Sequence, residues 1–397
     1  MVDTIYRNLR RPDGTSVDLS IADGRIASIE PTGRAAPGRA QVVDGNGQLL
    51  LPALVESHVH LDKTLWGLPW RPHSAGATLK DLIANERRVL REINVPIEKR
   101  AGGLLENCIA RGSQHIRSHI DVDPELGLRH VEAMLSLREA YRDVVELQFV
   151  AFPQTGLLIQ PGTAELMERA LAMGVETVGG LDPAGIDNDP IRHLETIFDM
   201  AAKHGRGVDI HLHDAGELGL WQIERIADFT ESRGLAGKVI ISHAFCLGMV
   251  PTAQIEKLGR RLADLRISLM TTAPSDIAAP PVGFLKALGV TICCGSDGIR
   301  DAWSPFGNGD MLERAMLIGY RANFRHDEEL ALAFDMVTAT AADVLGIAGY
   351  GIASGGPADF VVVEAETLAE AIASRPRRKL VVKGGRIVAR DGVLVLP

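Results

Sequence analysis

Between residues 54 and 297 the sequence alternates short β-rich runs with longer stretches of helical periodicity, and it does so eight times. The β-rich runs span 54–60, 115–121, 146–152, 176–181, 208–213, 238–244, 266–271 and 291–297. Helical spacing of apolar residues marks 163–173, 191–204 and 220–233 between them, and then 311–346, with a break expected near 325–327. Alternating βα units require a parallel sheet, because each helix returns the chain to the same edge. Eight of them argue for closure into a (β/α)8 barrel, the TIM barrel of α/β proteins, in place of an open sheet.

The two ends of the chain read differently. Strand-like pieces in residues 1–50 are punctuated by turn pairs at Asp23-Gly24, Asp44-Gly45 and Asn46-Gly47. Strand-like pieces return at 359–363, 379–383 and 387–388, with turns at Gly384-Gly385 and Asp391-Gly392. The economical arrangement is one small β-sandwich domain built from residues 1–50 and 350–397, beside a catalytic barrel over 51–349.

Composition narrows the function. Hydrophobic residues are 46% and charged residues 23%, enough to build a core in a water-exposed fold. A net charge of -9 leaves no extended basic surface, so nucleic acid is not expected as a partner. No apolar run reaches the ~20 residues that a bilayer span needs, and no membrane role is expected. Met1-Val2-Asp3-Thr4 lacks the basic and apolar pattern of a secretory leader. Cys108, Cys246, Cys293 and Cys294 show no CxxC spacing, which fits buried thiols in a reducing cytoplasm.

The chemistry concentrates at the ends of the β-rich runs. In His58-Val59-His60-Leu61-Asp62, side-chain alternation puts His58 and His60 on one face of a strand, the interior of a barrel. Inward histidines in isolation are as compatible with core hydrogen bonding as with a metal. The fifth run, however, ends in His211-Leu212-His213-Asp214, the sixth in Ser242-His243 and the eighth in Gly295-Ser296-Asp297. Barrel active sites are assembled from the C-terminal ends of different strands, which is where these residues fall. His58, His60, His211 and Asp297 form a nitrogen-and-carboxylate set without thiolate, suited to Zn, Fe or Mn. Such an ion lowers the pKa of a bound water from 15.7 toward ~7.

With these pieces in place the sequence resembles the amidohydrolase superfamily, in its cytosine deaminase-like branch. The shared segments are His58-Val59-His60-Leu61-Asp62, Arg117-Ser118-His119-Ile120-Asp121-Val122, Val150-Ala151-Phe152-Pro153-Gln154, Gly295-Ser296-Asp297 and Asp301-Ala302-Trp303-Ser304-Pro305-Phe306-Gly307. Within the branch, Lys63 and the pair His211/His213 are similar to triazine-degrading aminohydrolases. The resemblance implies one divalent metal on His58, His60, His211 and Asp297. Two-metal relatives bridge their ions with a modified lysine, and none occurs between Lys99 and Lys203. It further implies that Asp297 shuttles the water proton, that His243 steadies the attacking oxygen, and that Lys63, Gln154, His213 and Trp303 contact the substrate. Asp214 stands where cytosine deaminases carry Glu, and Gly298 where they carry an acid, which argues against cytosine itself.

Each of these positions also has a plainer reading. Asp214 is a proton shuttle or a cap on the following helix. Trp303 stacks on a flat ring or packs its loop, and for Trp66 and Trp70 loop packing is the better reading. His119 and Asp121 are expected to stiffen the barrel floor and support the ligands. The expected reaction is attack of a metal-activated hydroxide on a cyclic amidine carbon of a small N-heterocycle (pyrimidine, triazine or pterin), with loss of ammonia or an amine. His213, Asp214 or Lys63 would protonate the leaving nitrogen. Two alternatives remain: ring opening of a cyclic amide or lactam on the same barrel, and a heterocycle-binding protein without turnover. By family analogy a homo-oligomer is expected.

Overall fold

The computed structural model describes residues 2–36, 38–76 and 78–395. The eight runs form one parallel sheet in sequence order. Its strands are β1 (Leu54–Val59), β2 (Ser113–Asp121), β3 (Glu146–Phe152), β4 (Thr177–Leu181), β5 (Gly207–Leu212), β6 (Val239–His243), β7 (Ser268–Thr271) and β8 (Ile292–Cys294). β1, β2, β4 and β6 are buried along their whole length, as strands covered on both faces must be. Helices Thr163–Ala172, Pro190–His204 and Gly216–Ser232 lie where helical spacing predicted them. The last helical stretch is three helices, Met311–Arg321, Asp327–Asp335 and Ala339–Val344, so it breaks twice, not once.

The ring is nearly closed. No regular ladder joins β1 to β8, because β8 has only three residues. Closure happens just past it: the Asp297 N–H donates to the His58 carbonyl at 2.8 Å, and Ser57 Oγ donates to the Cys294 carbonyl at 2.9 Å. On the other side of β1 the register with β2 slips between Glu56 and Val59, a bulge that re-aims the strand end carrying His58. Inside the barrel Val55, Ile240, Met270 and Cys293 pack on Ala341, Ala342 and Leu345, residues in and just beyond helix Ala339–Val344. All four cysteines are free and buried.

Both chain ends join one mostly antiparallel nine-stranded sheet. Leu49–Pro52 is the hinge of that sheet: it runs antiparallel to Phe360–Val363, with Leu51 opposite Val361, and touches Thr4–Arg10 at Leu49. The halves share one core, in which Tyr6, Leu19 and Ile26 meet Phe360, Val362 and Leu380. Asp23 and Gly24 both take positive φ (52° and 72°), as the two-residue hairpin at that point requires. The sheet is joined to the N-terminal ends of the barrel strands, away from the site. Lys383 Nζ reaches Glu146 at 2.8 Å and Asp359 at 2.6 Å, and Gln114 donates to the Val382 carbonyl. No helix among the described residues is long and apolar enough to cross a membrane.

Candidate active site

At the C-terminal ends of β1, β2, β5 and β6 five imidazoles converge with one carboxylate. His60 Nε2 lies 3.3 Å from His211 Nε2 and 3.2 Å from Asp297 Oδ1, and His58 Nε2 lies 3.7 Å from the same oxygen. Ligand atoms of His58, His211, His243 and Asp297 all lie within 4.8 Å of one another. The His119 ring sits beneath them, its centroid 4.0 Å from that of His58.

The donor set suits a divalent cation. His58 Nε2, His60 Nδ1, His211 Nδ1 and both nitrogens of His243 are buried without a hydrogen-bond partner. Buried polar atoms are rarely left so, and His58 Nε2 is one that faces the centre, where the Nε2 atoms of His60 and His211 also meet beside Asp297. Burial drives the rings toward the neutral form: His60 falls to about 3, and His211 and His243 fall well below the ordinary imidazole value. Burial pulls Asp297 upward, but His58 and His60 outweigh it and hold the carboxyl well below its usual range. Neutral imidazoles around one carboxylate are the protonation state that metal ligation needs.

Behind His58 runs a short relay. Its Nδ1 is 3.1 Å from Ser242 Oγ, which donates to Asp209 Oδ1 at 2.7 Å. The hydroxyl therefore accepts from Nδ1–H, leaving the Nε2 lone pair for the centre. Asp209 also lies 3.6 Å from His119 Nε2 and 3.5 Å from Arg117. Neither Ser242 nor Asp209 was assigned a role from sequence, although Asp209 shares the inward face of β5 with His211. Glu56 was likewise passed over; its Oε1 accepts the N–H groups of His58 and Ser296 and ties the two sides of the barrel seam.

At the rim, His213 Nδ1 pairs with Asp182 Oδ2, and its ring lies against His243, centroids 4.4 Å apart. Burial lowers the His213 pKa, but the Asp182 charge and hydrogen bond more than offset this and raise it. Asp182, one residue past β4, was not anticipated; a buried aspartate directly after a barrel strand was the available signal. Asp214 does not cap helix Gly216–Ser232, whose N-cap is Ala215 and has no side-chain bond. It accepts from the Gly185 N–H at 3.1 Å and Gln222 at 2.9 Å.

Lys63 is buried, with its ammonium 5.4 Å from the Trp303 ring centroid. It donates to Gln154 Oε1. The Gln154 amide thus has its oxygen engaged, leaving its NH2 for a ring acceptor. Trp303 Nε1 is buried without a partner. Asp301 shapes this loop by accepting the N–H groups of Trp303 and Ser304, both at 2.8 Å. Asp121 lies 3.7 Å from Lys63, and Asp62 accepts the Asp121 N–H and pairs with His130 while an oxygen of it stays within 4.8 Å of a His60 ring nitrogen. A further carboxylate, Glu86, reaches Lys63 from helix Leu79–Glu92. Its sequence signal is an acid on the apolar stripe of that helix, at helical spacing from Leu79, Ile83 and Val89.

Comparison with known proteins agrees with this geometry. The profile of the amidohydrolase family matches residues 41–389. The chain is 33% identical to N-isopropylammelide isopropyl amidohydrolase of Pseudomonas sp. (strain ADP), over 99% of this chain and 98% of that protein. Its fold superposes on the crystal structure of N-isopropylammelide isopropylaminohydrolase from Burkholderia multivorans ATCC 17616, with TM-score 0.96, 43% identity and complete coverage of both chains. It also superposes on 5-methylcytosine deaminase from Klebsiella pneumoniae liganded with 5-fluorocytosine, with TM-score 0.87, 28% identity and 99% coverage of each.

Proposed function

The chain belongs to the amidohydrolase family, and from that premise we propose that it is a metal-dependent aminohydrolase that removes ammonia or an amine from a cyclic amidine carbon of a small N-heterocycle. The observation that supports this best is the convergence of His58, His211, His243 and Asp297 within 4.8 Å, with His60 Nε2 3.3 Å from His211 and 3.2 Å from Asp297, beside Lys63, Gln154 and Trp303. His58, His60, His211 and Asp297 would hold one divalent ion, Zn or Fe before Mn, which supplies acidification of a bound water. The barrel, residues 51–349 in this reading, holds the site.

The chain's own groups divide the remaining work. Asp297, whose Oδ1 lies beside His58 and His60, receives the water proton and passes it toward the leaving nitrogen. His243 hydrogen-bonds the attacking oxygen and stabilises the charge that grows on it. Lys63, Gln154 and Trp303 orient the ring. His213, whose Nδ1 is taken by Asp182, offers its other nitrogen to the departing group; Asp214, the alternative donor, is tied to the same Asp182 through its main-chain N–H. A triazine is the favoured ring, because the relatives named for N-isopropylammelide are 33% and 43% identical to this chain, against 28% for the 5-methylcytosine deaminase. Buried thiols fit a reducing cytoplasm, and a homo-oligomer is the expected assembly.

The test combines metal analysis of purified protein with a product assay on N-isopropylammelide, 5-methylcytosine and pterin. The expected outcome is about one divalent ion per chain and free amine or ammonia with the ring intact. A ring-opened acid would replace this reading with cyclic amide hydrolysis, and retained metal without turnover would replace it with a binding function.

A further inference from the structure

Glu86 is 1% exposed and is, with Val89, one of the two buried residues of helix Leu79–Glu92. The helix lies in the connection between β1 and β2, and its apolar side chains rest on residues that flank the imidazole cluster and Trp303. Leu79 and Ile83 pack on Phe152, Leu181 and Ile186, and Val89 packs on Leu65 and Ala302 beside Trp303. Phe152 itself lies 4.2 Å, ring to ring, from His211. Between these contacts Glu86 Oε2 comes to 3.2 Å from Lys63 Nζ.

Charge balance does not require that contact. Lys63 already has Asp121 at 3.7 Å and the Gln154 oxygen, both on barrel strands or their ends, and the Asp301 and Asp62 carboxylates act on it as well. A further carboxyl in so dry a place is costly: burial pushes the Glu86 pKa well above the ordinary carboxylate range, and the Lys63 charge opposes this only in part. Asp121 Oδ1, Asp301 Oδ2 and Glu86 Oε2 itself have no hydrogen-bond partner, so the Glu86 contact with Lys63 is one of proximity between the two groups. A buried carboxyl delivered from a separate helix onto Lys63 is better explained by what it does to the position of that lysine.

We propose that Glu86 is a positioning residue: it fixes the Lys63 ammonium over Trp303 and Gln154, and so makes the seating of helix Leu79–Glu92 and the affinity for the heterocycle one linked property. The substrate part rests on the aminohydrolase reading; the helix part does not. Lys63 touches the ring in ground state and transition state alike, so loss of Glu86 weakens binding more than turnover.

The experiment uses full-length metal-loaded protein as wild type, Glu86→Gln, Lys63→Met, the double variant, and Arg88→Ala as a control. Arg88 is an exposed residue of the same helix, paired with Glu92. Hydrogen exchange over residues 79–92 is expected to quicken about 10-fold in each single variant, with the double no faster than either single and Arg88→Ala within about 2-fold of wild type. With N-isopropylammelide as probe, or 5-methylcytosine or pterin if that ring is the one turned over, Glu86→Gln raises KM about 10-fold with kcat within about 3-fold, and has no further effect in the Lys63→Met background. Unchanged exchange in Glu86→Gln, additive exchange in the double variant, or a loss confined to kcat overturns the proposal. Absence of turnover by wild type on all three rings counts against the aminohydrolase reading alone, and the exchange data still decide the role of Glu86.

Discussion

Asp182 grips His213 twice: its Oδ2 lies 2.7 Å from the ring Nδ1, and its Oδ1 accepts the His213 main-chain N–H at 2.5 Å. The carboxylate therefore sets both the rotation of the imidazole and which nitrogen carries the proton. Asp182→Asn keeps the size but exchanges an acceptor for a donor. A hydrogen bond to a charged group contributes ~1.5–3 kcal/mol, so kcat for amine release should fall about 10- to 100-fold. Steady-state kinetics with a melting curve within a few degrees of wild type would bear this out; unchanged kcat would remove His213 from the reaction.

Ser242 is expected to matter through the metal without touching it. Its hydroxyl links His58 Nδ1 to Asp209, and supports of this kind typically change metal affinity by about 10- to 100-fold. Ser242→Ala should retain the fold and lose metal to a chelator at correspondingly lower concentration. Equal retention by wild type and variant would show that the relay does not tune the ligand.

The junction of barrel and terminal sheet depends on Arg378, buried with its guanidinium on both oxygens of Asp310. Asp310 also caps helix Met311–Arg321 by accepting the Leu312 N–H at 3.0 Å. Asp310→Ala strands a buried cation and should cost about 3–5 kcal/mol in urea unfolding, more than Asp310→Asn. A loss below ~1 kcal/mol would mean that Arg378 finds water or another acceptor.

Glu146 predicts a pH dependence at the same junction. His115 and Lys383 hold its pKa down at about 2, against ~4.3 for an unfolded chain. A depressed carboxyl contributes stability that is complete above the unfolded pKa and disappears as pH falls through the folded one. The stability difference between wild type and Glu146→Gln should thus be flat above about pH 5 and shrink from about pH 4.3 to 2. The side chain is 59% exposed, so solvent screens the effect and salt should reduce it further. A difference that stays constant down to pH 2 would show that the pairing is absent in solution.

Much of the fold is legible in local pattern. Eight short β-rich runs separated by period-3.6 stretches locate the barrel strands to within three residues at either end, because burial on both faces requires nearly continuous apolar runs. Strand ends likewise announce His58, His60, His211, His243 and Asp297, since a barrel exposes its chemistry at one rim. Lys63 follows directly on the first of these. The second break in the last helical stretch, at Met336–Thr338, was not legible, because it is set by contact and not by a helix-breaking residue: the Met336 carbonyl accepts from the Cys294 N–H and the Val337 carbonyl from the Val55 N–H, both barrel strand residues.

What the amino-acid order determined by itself is the set of periodicities and the residues that ride at strand ends, both of which depend on neighbours a few positions away. What only the tertiary structure decided is who meets whom across long separations: Ser242 with His58, 184 positions apart, Asp182 with His213, and Glu86 with Lys63. Those pairings depend on how the ring closes at its short eighth strand and on where a connecting helix lies over the rim. Short-range spacing does not encode either one, because each is fixed by packing between segments that the chain brings together only once the barrel exists.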